Sequence, residues 1–152
     1  MDFRVIIFGG RYFNNYFLCK HKVKNILSQK IAAGSKIIIV SGACNTGYET
    51  YNHPDDGTSV CGADGLGEKL AAEMGWPVER YPADWQKHGK AAGPIRNRQM
   101  GKIADVGIGF WDNESSGTKD MIDVLQEIEK KPCRIILFVA EVKTKASKKK
   151  AA

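Results

Sequence analysis

The sequence predicts an α/β fold, a doubly wound parallel sheet of about five strands in a single domain. Three observations predict it. Short apolar runs rich in β-branched residues recur along the chain. Between them lie stretches whose apolar residues repeat at helical spacing. The apolar runs are continuous rather than alternating, as in strands covered on both faces. This arrangement is Rossmann-like, and it puts a ligand beyond the carboxyl ends of the strands, near the switch in strand order.

Each element can be read in turn. Phe3 to Phe8 is a buried strand that runs into Gly9 and Gly10. Asn14 is the expected cap of a helix carrying Phe17, Val23, Ile26, Leu27 and Ile31, which Gly34 ends. Ile37 to Val40 is a second strand, followed by Ser41 and Gly42. Residues 43–61 hold few aliphatics and read as a long loop, of a length that is often functional. Gly62 to Met74 is helical, with Leu66, Leu70, Ala71 and Met74 on one face. Val78 to Tyr81 is a third strand, and Pro82 to Ala92 a polar crossover. Pro94 to Ile103 is a helix with proline in its first turn. Asp105 to Trp111 is a fourth strand. Gly117 to Lys130 is a helix with Met121, Ile122, Leu125 and Ile128 on one side, and Pro132 ends it. Ile135 to Val139 is the fifth strand.

The 152 residues suit one domain, and 43% hydrophobic content suits a real core. The net charge is +6, but Lys143, Lys145, Lys148, Lys149 and Lys150 supply five of those charges, so the remainder is close to neutral. Residues 1–141 are therefore read as the folded domain and 142–152 as a flexible basic tail, suited at most to weak contact with nucleic-acid phosphates. None of the four cysteines stands in CxxC spacing, which argues against a zinc knuckle or a thioredoxin-type motif. No secretory signal and no membrane-length apolar run is visible, so a cytoplasmic protein with free thiols and no membrane partner is expected.

Three of the strand ends are small and Gly-rich: Gly9-Gly10-Arg11, Ser41-Gly42, and the stretch from Trp111 to Lys119 with Gly117 and Thr118. Such turns expose backbone N–H groups and positive helix ends, which suit phosphate. Neither GxGxxG nor GxxxxGK[ST] is present, so a nucleotide site here has another design. Arg96 and Arg98 follow Gly93 and Pro94 in the first turns of a helix, where a cation opposes the dipole unless an anion is near. The Arg96 guanidinium is expected to reach the strand ends and meet that anion. Asp64 at the start of its helix has three roles open to it: capping, holding a ribose hydroxyl, or orienting an arginine. Glu68 lies four residues on, on the same face, so the two are also candidates for acid/base work.

Together the segments GGRYF, SG, GADGLGEKLA, PADW, GKAAGPIRNRQM and GTKDMI resemble the YspA/YpsA-related branch of the SLOG superfamily. That branch is common in bacteria and their phages. The superfamily includes DprA-type DNA-binding proteins and LOG-type nucleotide phosphoribohydrolases. The resemblance runs from Arg4 to about Val139 and is most specific in the PADW…AGPIRNRQM block. It implies a Rossmann-like domain that binds a nucleotide-derived ligand, and association into a homo-oligomer. The implied pocket is lined by Gly10, Arg11, Ser41, Gly42, Gly62, Ala63, Asp64, Gly93, Arg96, Asn97, Gly117 and Thr118.

Two departures from the family pattern matter. The usual unbroken SGGAxGAD turn is split by residues 43–61, whose Asn45, Tyr48, Tyr51, His53, Asp55 and Asp56 suggest a lid or specificity loop. His53, Asp55 and Asp56 are assigned to solvent rather than to a metal. Arg96-Asn97-Arg98-Gln99-Met100 is similar to the LOG motif RKxxM. In PGGxGTxxE, however, Gly117-Thr118 matches and Met121 occupies the glutamate position. Asp120 is adjacent but is expected to point elsewhere.

The leading expectation is therefore binding, by sensing or sequestering, of a nucleotide-derived ligand such as an ADP-ribose-like molecule, with no metal and no other cofactor. The alternative is hydrolysis of an N-glycosidic bond, with Asp64, Glu68 and Arg96 as catalytic candidates and Arg11 beside them. The third reading is DprA-like DNA binding through Arg96, Arg98 and the lysine tail.

Overall fold

The structure is a computed structural model and describes residues 1–139. The basic tail and the last two residues of the expected domain lie outside the described residues. Five parallel strands form the main sheet, in the order β5-β2-β1-β6-β7. These are β1 (Asp2–Gly9), β2 (Lys36–Ser41), β5 (Val78–Arg80), β6 (Val106–Trp111) and β7 (Cys133–Leu137). The chain winds outward from β1 to one edge, returns to β6 and winds to the other edge. The strand order thus reverses between β1 and β6, which pair from Val5↔Val106 to Gly9↔Phe110. The fold is Rossmann-like α/β, as the sequence predicts.

Side chains of β1 alternate between two cores. Val5 and Ile7 join Ile37, Ile39, Ile108 and Phe110 under helices α1 (Tyr16–Ile26) and α3 (Gly62–Met74). Ile6 and Phe8 join Val40, Met100, Met121 and Leu125 under α5 (Ala92–Ile103) and α6 (Ser116–Asp123). Each such aliphatic contributes about 1.5–3 kcal/mol on full burial. Two-sided burial is why the strands read as unbroken apolar runs rather than as alternation.

Several local expectations change. Asn15, not Asn14, caps α1, its side chain accepting from the Leu18 amide at 3.0 Å. A short helix, α2 (Ser28–Ala32), then follows Leu27. Residues 43–61 are not a plain loop: they carry an antiparallel hairpin of β3 (Glu49–Asn52) and β4 (Ser59–Cys61). The polar crossover holds α4 (Trp85–His88) and a 3₁₀ turn, Gly89–Ala91. The last helix runs as α6 and then widens into a π-helical turn, Val124–Ile128, which leaves Ile128 exposed instead of in the core. β7 is an edge strand, so Ile135 and Leu137 are exposed although they belong to an apolar run.

Candidate functional site

A cavity of about 690 Å³ opens at the carboxyl ends of β1, β2 and β6, at the strand-order switch. This is where an open α/β sheet leaves a crevice, because successive helices go to opposite faces. Gly10 and Arg11 form the wall after β1, Gly42 the wall after β2, and Ser116, Gly117 and Thr118 the wall after β6. Gly93, Arg96 and Asn97 close it from α5, and Asp64 reaches in from α3. Of the residues expected at the pocket, nine therefore line it: Gly10, Arg11, Gly42, Asp64, Gly93, Arg96, Asn97, Gly117 and Thr118.

Ser41, Gly62 and Ala63 do not line the cavity; they build its support. The Gly62 and Ala63 amides donate to the carbonyls of Tyr48 and Gly10, so these two N–H groups of α3 are taken. Gly62 has φ +57, and a Cβ there would sit 2.4 Å from the Gly10 oxygen. Only glycine lets the two turns meet so closely. Glu68 is also outside the cavity. It is 1% exposed and accepts from Ser41 Oγ at 2.6 Å and from Arg80 Nη2 at 2.5 Å. Arg80 in turn donates to Thr58 at 3.2 Å and pairs with Asp56 at 3.7 Å, which ties the hairpin to β5. Glu68 thus holds the fold together and has no path to a ligand in this cavity.

The inner wall is a polar relay. Arg96 Nη1 donates to the Gly42 carbonyl at 2.6 Å and, longer, to that of Tyr81 at 3.5 Å. Arg96 Nε donates to Asn97 Oδ1 at 3.0 Å. Asn97 Nδ2 donates to Asp120 Oδ2 at 3.0 Å and toward the Gly117 carbonyl at 3.4 Å. Arg96 therefore does reach the strand ends, as its helix position predicts, but it meets carbonyls there. Asp64 Oδ2 accepts from the Cys44 amide at 3.1 Å. A Cβ on Gly42 would lie 2.5 Å from Arg96 Nη1 and 2.9 Å from Asp64 Oδ2, so the guanidinium and the carboxylate flank the same glycine. Burial pushes the Asp64 carboxyl up to about 6; Arg96 and the Cys44 amide pull it down, and Glu68 adds to the rise.

Asp120 corrects an expectation. It lines the cavity with Met121 instead of pointing elsewhere. Both follow Gly117 at three and four residues, which share one helix face, so the signal was in the sequence. Met121 is 1% exposed, and packs in the core beneath the site. Asp112 Oδ1 accepts from the Glu114 and Ser115 amides, and Ser115 caps α6. Among the described residues the Ser116 and Gly117 amides meet no acceptor.

The cations divide into two kinds. Arg98 is exposed, donates to the Pro94 carbonyl at 3.1 Å and stays outside the cavity. Arg11 is exposed on the cavity wall, and its guanidinium has no partner among the described residues. Trp85, 54% exposed, and Lys90 form the rim and were not singled out from sequence. Ala43, Cys44, Asn45 and Thr46 begin the 43–61 insertion and form another wall. The rest of the insertion, including Tyr48, Tyr51, His53, Asp55 and Asp56, lies away from it. The insertion is pinned, because the Tyr48 amide donates to the Arg11 carbonyl at 2.8 Å and Thr50 Oγ1 to the Gly62 carbonyl at 2.8 Å. No group of three or more His, Cys, Asp or Glu among the described residues is placed to hold a metal ion. No helix among them is long and apolar enough to cross a membrane.

Fold and cavity together define a Rossmann-like α/β protein with a crevice of mixed polar and apolar lining at its strand-order switch. The chain matches no family model, no curated protein and no solved structure.

Proposed function

We propose that the chain binds, and so senses or sequesters, a nucleotide or nucleotide-derived ligand in this cavity. The observation that carries the reading is Arg11 on the wall of a crevice at the strand-order switch, with no hydrogen-bond or ion-pair partner for its side chain among the described residues. A cation without a partner on such a wall suits a phosphate, which it binds through a planar fork. The open Ser116 and Gly117 amides at the start of α6 and the exposed Trp85 ring suit the same ligand class. The resemblance to the SLOG superfamily points the same way.

Thermal unfolding with nucleoside mono- and diphosphates, cyclic nucleotides and ADP-ribose tests the proposal. Ligand at a hundred times its Kd should raise Tm by roughly 5–10 °C. No shift with any of them, for a chain that unfolds cooperatively, would rule the reading out. Native mass spectrometry of the purified chain would show both a retained nucleotide and the proposed homo-oligomer.

A hydrolytic reading has one observation in its favour: of the four carboxyls that line the cavity, Asp64, Asp112, Glu114 and Asp120, Asp64 has its pKa raised and Asp120 joins the relay that leads to Arg96. Groups perturbed in a cleft are acid/base candidates. Release of free base from a nucleotide, lost in Asp120→Asn, is its test.

A further inference from the structure

The cavity walls differ in charge, and the difference says which part of a ligand goes where. Arg96 spends Nη1 and Nε on Gly42, Tyr81 and Asn97, and only Nη2 is left without a partner among the described residues. Asp64 is 9% exposed, spends Oδ2 on the Cys44 amide, and has Oδ1 left. No fully buried side-chain oxygen among the described residues lacks a partner, so Oδ1 opens to the cavity. The pair is close to neutral as a unit, and Asp120 adds a further negative charge to the same wall. A phosphate placed here would meet two carboxylates. A hydroxyl would meet one acceptor and one donor, and it can satisfy both at once. Arg11, on the wall after β1, has no carboxylate bonded to it among the described residues, while Asp112 and Glu114 line the cavity after β6.

Resting on the nucleotide reading above, we propose that Asp64 and Arg96 read a ribose hydroxyl and that the phosphate seats at Arg11. The cavity would then select ribonucleotides over deoxyribonucleotides through Asp64 Oδ1 and Arg96 Nη2. Sites built to bond a hydroxyl reject analogues that lack it far more strongly than apolar pockets reject a missing methylene.

The test is calorimetric titration of the full chain with the four ribonucleoside 5′-monophosphates and their 2′-deoxy and 3′-deoxy analogues. Inorganic phosphate serves as competitor. In the wild type, at least one ribonucleotide should bind about tenfold or more tighter than one of its deoxy analogues. Asp64→Asn should shrink that ratio to about threefold or less while keeping the side-chain volume. Arg11→Ala should weaken ribo- and deoxynucleotides alike and remove competition by phosphate. Equal ribo and deoxy affinities in the wild type would overturn the proposal and leave the nucleotide reading standing. An unchanged ratio in Asp64→Asn would also overturn it, and unchanged phosphate competition in Arg11→Ala would overturn the phosphate assignment. Absence of binding by every monophosphate would overturn this proposal, and the nucleotide reading would then be decided by the diphosphates, cyclic nucleotides and ADP-ribose of the unfolding test above. If Asp64→Asn fails to fold, the wild-type ratios still decide, with Arg96→Lys as the second variant.

Discussion

At the scale of residues, Asp64 carries a cost that the fold accepts. Its carboxyl is raised to about 6 chiefly because it is buried. Between about pH 4 and 6 the folded chain holds a proton that the unfolded chain has released, so this group makes stability fall as pH rises. Above about pH 6 the full penalty is present, on the order of 2–3 kcal/mol. Asp64→Asn should therefore raise the urea midpoint at neutral pH and flatten the decline relative to wild type. Parallel pH profiles of wild type and variant would refute this. Arg96 invites the opposite forecast. The sequence suggests an arginine there for an anion, but its bond to the Gly42 carbonyl joins α5 to the end of β2, and its bond to Asn97 holds the guanidinium within α5. Hydrogen bonds to charged groups contribute about 1.5–3 kcal/mol, so Arg96→Ala should lower stability by that order even without ligand. Thermal unfolding of the ligand-free variant checks it: an unchanged Tm would show that the bonds contribute nothing net.

At the scale of elements, the hairpin and the relay behind it show what the sequence disclosed and what it concealed. The helix Gly62–Met74 was legible to the residue because a glycine start, Leu66 and Leu70 four apart, and Gly75 in a left-handed C-cap all agree. The β3–β4 hairpin was not. Its strands carry Thr, Tyr, Asn and Ser, packed on α3 rather than in the main core, so no apolar run marks them. The one local signal was Asp56-Gly57, with Gly57 at φ +71, a dipeptide that favours tight hairpins. Glu68 was legible as a helix-face carboxylate, but its task depends on Arg80 and Ser41, which are distant in sequence. Removing one member of a buried ion pair typically costs 3–5 kcal/mol, and the partly exposed Arg80 brings this down to about 2–4 kcal/mol for Glu68→Ala. Because Arg80 also holds Asp56 and Thr58, the loss should reach the hairpin. Hydrogen exchange in residues 49–61 should quicken in Glu68→Ala. Protection equal to wild type would show that Arg80 does not couple the two regions.

At the scale of the whole molecule, strand order is what turns scattered turns into one crevice. Five strand ends were readable in the sequence, and their common direction follows from right-handed crossovers. The crevice between β1 and β6 follows from the order once it is known. The rim was harder to foresee. Trp85 belongs to a polar crossover, and it meets the cavity only because α4 folds back so that its ring approaches Gly93, 3.4 Å from where a Cβ would stand. On the proposed function, this ring is the surface on which a ligand's base stacks, a contact worth about 1–3 kcal/mol per base. The chain has three tryptophans, and Trp85 is the one that lines the cavity; Trp76 packs against the core under α3, and Trp111 donates to the Ser115 carbonyl. Saturation with a bound nucleotide should therefore quench the intrinsic fluorescence, with most of the change arising from Trp85. Trp85→Phe should abolish most of the quench yet keep affinity within about threefold, since phenylalanine still stacks. Trp85→Ala should weaken binding by about fivefold or more. A full quench in Trp85→Phe would place the base elsewhere in the crevice, and an unchanged Kd in Trp85→Ala would remove the rim from the site.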